Sequence, residues 1–194
     1  VRTQIIEPVD PAKIEVVEFF GYFCPHCQTL DPIILKQARN FAPDTVYRTE
    51  HVVWRPEHVN FARILAAVNQ SGIKQQANAQ IFNAIIHQRQ NLADGPTFRS
   101  WAQQQPFGSK LLAAYDDGKS AAAAEKMKQL TELYKIEGTP TVIVGGKYRV
   151  KMRDFNQGMQ VVDELIAKVR QERGMKAAAP RVAPKSIGAA IAKS

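Results

Sequence analysis

Cysteine is scarce in this chain, with two among 194 residues, and histidine is little commoner, with four. A zinc site assembled from two paired clusters is therefore excluded, because no second CxxC or HxxxH accompanies the first cysteine pair. No apolar run reaches the roughly 20 residues that a membrane-spanning helix needs. The opening Val1-Arg2-Thr3-Gln4 lacks the basic-then-apolar pattern of a secretory leader. A mature exported chain would look the same, so this assigns no compartment. No internal repeat appears. Basic residues nowhere interleave with aromatics in a stripe, which argues against a nucleic-acid partner.

What is present is ordinary for a globular protein: 45% hydrophobic and 23% charged residues. The length suffices for one domain, or for one domain carrying an insertion. The net charge of +8 is unevenly placed. Beyond Gly174 stand Lys176, Arg181, Lys185 and Lys193 with no acid, so half of the excess belongs to the tail. Residues 175–194, rich in Ala, Pro and Lys/Arg, read as a basic disordered tail.

Residues 4–9 make a strand candidate that Pro8 would confine to an edge. Ile14, Val16, Val17, Phe19 and Phe20 form a nearly continuous apolar run, as expected of a central strand covered on both faces. Glu18 interrupts it on the face of Val16 and Phe20. Either it lies inside, with its pKa raised by burial, or it reaches water or a base at the strand end. From Cys24 the period becomes helical through Leu30, Ile33, Ile34 and Phe41, with Pro25 suited to a first helical position and Pro32 expected to kink the axis. Residues 45–54 read as a second strand. A helical block follows. Its breaks fall at Ser71-Gly72, Asp94-Gly95-Pro96 and Asp116-Asp117-Gly118, with Thr97, Ser109 and Ser120 as expected caps. His58 and His87 within it read as surface or packing residues. After Gly138-Thr139-Pro140 come a buried strand (141–144), a Gly145-Gly146 hairpin and a last helix stopped by Gly174. The order is a βαβ start and a ββα finish around a helical insertion. This predicts an α/β fold with domains at 1–55 plus 136–174, and 56–135.

Cys24 and Cys27 lie in the first turn of a helix, on one side and close together. So small a loop suits a disulfide that opens and closes, whereas a structural bridge usually closes a longer one. Unpaired N–H groups and the positive helix end stabilise a thiolate there. By position Cys24 is the exposed, reactive sulfur and Cys27 the shielded, resolving one. His26, if its ring approaches Cys24, lowers that thiol's pKa further and makes the couple a stronger oxidant. The competing reading is metal: Cys24, His26 and Cys27 as zinc ligands, with His51 as the plausible fourth. The strand–CxxC–helix context favours redox chemistry with no metal.

The segment Val17-Glu18-Phe19-Phe20-Gly21-Tyr22-Phe23-Cys24-Pro25-His26-Cys27 resembles the active-site segment of the bacterial periplasmic DsbA family of thiol:disulfide oxidoreductases. Gly138-Thr139-Pro140 and Gly145-Gly146-Lys147-Tyr148 resemble that family's cis-proline loop and following hairpin. The resemblance spans about residues 14–173 and implies a thioredoxin-like fold with an inserted all-helical domain. It implies that Cys24 is the nucleophile and Cys27 the resolving thiol, flanked by Pro25 and His26. It also implies that Thr139-Pro140 is a cis bond beside the disulfide where a substrate adds as a strand, and that Tyr22 and Phe23 border the groove. Read from the residues alone, Pro140 would be a trans loop proline. Glu18 becomes the proton-relay candidate. Where the family often pairs it with a lysine on the next strand, Arg48 or His51 stands instead. Thr139 occupies a position where many relatives carry valine, and its hydroxyl would tune the sulfur. The implied activity is a monomeric oxidase, without a cofactor, that passes its disulfide to reduced, unfolded exported proteins in the periplasm. A membrane quinone-linked oxidase of DsbB type would regenerate it. Whether a lipid anchor precedes residue 1 is left open. The alternatives are an isomerase or reductase of the same fold, for which no separate dimerisation domain is present, or a non-catalytic zinc- or peptide-binding module.

Overall fold

The computed structural model describes residues 10–176; the strand expected at 4–9 and the tail from 177 lie outside the described residues. The apolar run becomes β1 (Ile14–Phe20), which pairs in parallel with β2 (Thr45–His51) and antiparallel with β3 (Thr141–Val144). Strand β4 (Tyr148–Lys151) closes the sheet on the outer side of β3, giving the order β2-β1-β3-β4. β1 is central, as its two-sided hydrophobicity requires. Both hairpin glycines adopt left-handed φ (+64° and +66°), a region that a side chain would disfavour.

Helix α1 (Pro25–Ala38) connects β1 to β2, and α7 (Phe155–Glu172) follows β4. One sheet face carries Ile14, Val16, Val142 and Val144 against Leu30 and Ile34 of α1 and Val162 and Ile166 of α7. The other carries Val17, Phe19 and Ile143 against Leu130 and Tyr134. Between the halves run α2 (His58–Ser71), α3 (Lys74–Phe82) with a π-helical turn (Asn83–His87), α4 (Gly95–Gln103), α5 (Gly108–Asp116) and α6 (Gly118–Leu133). Their apolar stripes converge on a core that includes Phe61, Leu65, Ile81, Phe98 and Leu111. It continues without a break into Phe20, Tyr22, Cys24 and Cys27.

Several boundaries differ from the sequence expectation for identifiable reasons. β2 ends at His51, not at Trp54, because β1 ends at Phe20; after Val52 donates to the Phe20 carbonyl (2.9 Å), the ladder has no further β1 residue. Asp94, not Thr97, caps α4: its carboxylate accepts from both the amide (3.1 Å) and the hydroxyl (2.6 Å) of Thr97. Asp117, not Ser120, caps α6, while the Ser120 hydroxyl donates to the Tyr115 and Asp117 carbonyls. Ser109 falls inside α5, whose N-cap is Phe107 with no side-chain bond. In each aspartate case an acid three residues upstream outcompetes the hydroxyl for the free amides at the helix start.

Gly108 sits where a Cβ would come within 1.9 Å of the Ala102 carbonyl oxygen, a backbone atom with nowhere to go. Glycine-to-alanine in a helix ordinarily stabilises by about 1 kcal/mol. Here Gly108→Ala is expected to destabilise by about 2 kcal/mol through overpacking. Urea denaturation checks the sign, and a stabilised variant would show that α4 and α5 can separate at this point.

Candidate active site

The last β1 residue, Phe20, hands the chain to a tight turn in which the Cys24 amide donates to the Gly21 carbonyl (3.0 Å). Cys24 is then the N-cap of α1, in extended conformation (φ −96°, ψ 113°), and its sulfur accepts from the Cys27 amide at 3.3 Å. The sulfur thus takes the place that a serine or aspartate oxygen holds in an ordinary cap. Pro25, exposed, occupies the first helical turn, where no backbone donor is missed. Both cysteines are free thiols. Cys27 is wholly enclosed and Cys24 is 7% exposed, so the expected order holds but Cys24 presents only a sliver of surface.

The two thiols are driven apart in acidity. Cys24 is held down at about 6, first by the hydrogen bond from the Cys27 thiol. Against the cost of burial, the Thr139 side chain and the backbone amides of Cys27 and His26 hold it down further. Cys27 is pushed far up, first by burial, then by its bond to Cys24, by the Cys24 charge and by Glu18. One sulfur is thereby a thiolate near neutrality and the other a thiol. His26 contributes its backbone N–H; its exposed ring lies 6.5 Å from that of Phe155, edge-on.

The Thr139–Pro140 peptide bond is cis, and the Thr139 carbonyl faces the pair, accepting from the Cys24 thiol at 3.7 Å. Residues 115 positions apart in sequence thus meet at one sulfur.

Beneath the pair lies a buried polar set. Glu18 is 1% exposed, which decides for the interior. Its pKa rises to about 8, chiefly through burial, with Asp31 and Cys24 adding to it while Tyr47 and Lys74 oppose. Tyr47 donates to Oε1 at 2.7 Å, and among the described residues Oε2 has no hydrogen-bond partner. The expected basic neighbours are not the ones found. Arg48 pairs with Glu15 and Glu50 instead. The nearby cation is Lys74 of α3, half-buried over the Tyr47 ring (5.0 Å) and donating to the Thr49 hydroxyl (3.0 Å).

His51 is spent on the main chain: Nε2 accepts from the Tyr22 amide (3.0 Å), so Nδ1 carries the proton toward the Val52 carbonyl (2.7 Å). Burial pushes its pKa down to about 3 and keeps the ring neutral. With both nitrogens occupied, His51 is not a spare ligand for Cys24, His26 and Cys27. Tyr22 needs a correction as well. It is 0% exposed and lines no groove; its hydroxyl donates to Asn78 of α3 (2.8 Å), which in turn donates to Asp31 of α1 (3.1 Å). Phe23 is half-buried at the surface. Its ring stacks on His58 (4.6 Å) beside Trp54, which is 42% exposed.

Asp31, Asn78, Tyr47 and Lys74 went unnoticed in the sequence. Asp31 was recoverable, because it stands four residues after Cys27 on the buried face of α1 and its pKa is raised to about 6 by burial. For Asn78 and Lys74 no local signal exists.

The thioredoxin family model matches residues 9–164. The thiol:disulfide interchange protein DsbA of Burkholderia cepacia is 30% identical over 166 residues, covering 83% of this chain and 78% of that protein. Two oxidoreductases of Neisseria meningitidis are similar in structure. NmDsbA1 has a TM-score of 0.85 at 45% identity over 88% of this chain and 91% of its own. NmDsbA3 has 0.81 at 49% over 88% and 94%. Pseudomonas aeruginosa DsbA has 0.80 at 26% over 89% and 92%.

Glu18 titrates near 8 in the fold against 4.5 when free, so its contribution to stability is full below pH 4.5 and lost as pH rises through 8. Glu18→Gln keeps an acceptor for Tyr47 but never ionises. Its stability advantage over the parent should therefore grow from pH 4.5 to 8, by an amount on the order of a few kcal/mol. Urea titrations of the reduced proteins at both ends measure it; a pH-independent difference would show that the carboxyl ionises freely. The thioredoxin-like architecture, the split acidity of Cys24 and Cys27 and the matches above place this chain in the thioredoxin family, among the DsbA thiol:disulfide oxidoreductases.

Proposed function

We propose that the protein is a disulfide oxidase that passes a Cys24–Cys27 disulfide to reduced, unfolded polypeptides exported to the periplasm. The observation that carries this reading is the Cys24 sulfur serving as the helix cap while held at about 6. A thiolate so stabilised favours the dithiol over the disulfide, which makes the oxidised protein a donor.

The chemistry balances in two exchanges. A substrate thiolate attacks Cys24 Sγ, the Cys24–Cys27 bond breaks, and Cys27 leaves with the electron pair and takes a proton. A second substrate thiolate then attacks the substrate sulfur of the mixed disulfide, and Cys24 departs as a thiolate. The substrate has lost two electrons and gained a disulfide; the protein has gained the two electrons. Cys24 is the better leaving group by its low pKa, which drives the second exchange forward. If attack instead comes from Cys27, the unreacted substrate is released. Glu18, protonated near neutrality, is the group proposed to exchange a proton with Cys27. The Thr139 carbonyl beside the sulfur supports docking of an extended substrate as an added strand. Phe23, stacked on His58 beside the exposed Trp54, is the proposed apolar border of the groove.

The sequence division at 1–55 plus 136–174 and 56–135 belongs to the same proposal, as do action as a monomer and regeneration by a membrane quinone-linked oxidase of DsbB type. His26 is proposed to tune the couple from its exposed position.

Equilibration with glutathione is expected to give a single intramolecular disulfide more oxidising than glutathione itself. Thiolate absorbance should show a Cys24 midpoint near pH 6. A potential close to that of thioredoxin would sink the oxidase reading in favour of a reductase. His26→Pro should lower the potential, and an unchanged value would remove His26 from the tuning of the pair.

A further inference from the structure

Among the described residues β4 is an edge strand, and its residues alternate between two environments. Tyr148, Val150 and, just past the strand, Met152 are buried on the α7 side. Arg149 and Lys151 fall on the opposite side, about 6.7 Å apart along the extended strand, and Arg153 follows in the bend after β4, its amide donating to the Lys151 carbonyl (3.2 Å). Arg149 is anchored: its guanidinium donates to the carbonyls of Tyr134 and Lys135, which leaves its charge in place without a carboxylate. Lys151 and Arg153 are exposed. Among the described residues no acid forms an ion pair with any of the three.

This basic row adjoins the cis-proline loop. Lys151 stands directly opposite Thr141 in the β3–β4 register, and Thr141 is two residues from Thr139. A cavity of about 410 Å³ is walled on one side by residues 137–141 and on the other by Arg149, Lys151 and Arg153. A second, of about 500 Å³, continues past the same three cations along the start of α7. Two acids face these spaces. Asp154 is committed to capping α7, accepting from the Gln157 amide at 2.9 Å, so its charge is turned onto the helix start. Glu137 lies at the far end, before the loop.

We propose that Arg149, Lys151 and Arg153 select among reduced substrates, favouring polypeptide segments that carry carboxylates within about four residues of the reacting cysteine. The proposal rests on the oxidase reading, since it supposes a substrate extended beside Thr139. A chain held there advances about 3.4 Å per residue, so side chains two to four positions from its cysteine reach the basic row. The row acts on encounter and register. It leaves the sulfur chemistry to the cysteines, and its influence is therefore selective and sensitive to salt.

The experiment uses the oxidised full chain and three synthetic peptides. Each bears the same two cysteines, with Asp, Lys or Asn placed three and four residues from one of them. Each rate is divided by that peptide's rate with a neutral small-molecule disulfide, which removes the effect of the charges on the peptide thiols themselves. At low salt the Asp peptide should be oxidised about tenfold faster than the Lys peptide, as steering by a like-signed row produces. The ratio should fall toward one at about 1 M salt, where the screening length is about 3 Å. In Lys151→Glu/Arg153→Glu, a change confined to exposed side chains, the ratio should invert. A ratio near one for the parent at low salt, or one unchanged in the double variant, overturns the proposal while leaving the oxidase reading intact. Failure of the parent to oxidise even the Asn peptide removes both.

Discussion

The structure depends on one hydrogen bond, from the amide of Cys27 to the sulfur of Cys24. A helix beginning at Pro25 leaves its first amides without partners, and the side chain at position 24 must answer them. Because that side chain is a thiol, the demand of the helix becomes a demand for negative charge on sulfur. The same bond that starts α1 therefore adds to the charge stabilisation that the Cys27 thiol leads, and the reduced pair is favoured. Helix initiation and oxidising strength share this contact.

Around it the remainder divides into parts that hold the charge and parts that keep it local. The Thr139 side chain and the His26 amide add to its stabilisation. Burial of Cys27 and Glu18 prevents a second charge from settling alongside it near neutrality, since both acids are pushed upward by desolvation first. His51 is kept neutral at the other limit, its two nitrogens tied to the main chain of Tyr22 in the β1–α1 turn and of Val52 just after β2. The surroundings of the pair are thus polar in composition but poor in free charge.

How far the sequence disclosed this can be judged residue by residue. The central strand, the helix opened by the cysteines, the hairpin glycines and the order of elements all follow from local signals: hydrophobic period, Pro at a helix start, Gly at positive φ. Glu18 was legible as a polar interruption of an apolar strand. What was hidden depended on contacts between distant segments. Lys74 lies 56 residues beyond Glu18 and carries no mark of burial in its neighbourhood, whereas Arg48 beside Tyr47 looked a better partner and turned out to serve Glu15 and Glu50. Tyr22 stands next to the motif, which points to the rim, yet its neighbour Phe23 takes the surface and Tyr22 the interior. Adjacent residues in a turn face different ways, and periodicity gives no guide there.

Asn78 has a mechanical consequence. Its amide is used at both ends, accepting from Tyr22 before the active-site helix and donating to Asp31 within it. A carboxamide so clamped is held in one orientation, because reversing it would set its oxygen against the Asp31 carboxylate, acceptor against acceptor. Helix α3 is therefore pinned to α1 by a polar rivet. Any swing of the helical block away from the cysteines must first break two buried bonds at once. On this side of the cysteines, separating the helical block from the active-site helix carries the cost of leaving buried polar groups unpaired.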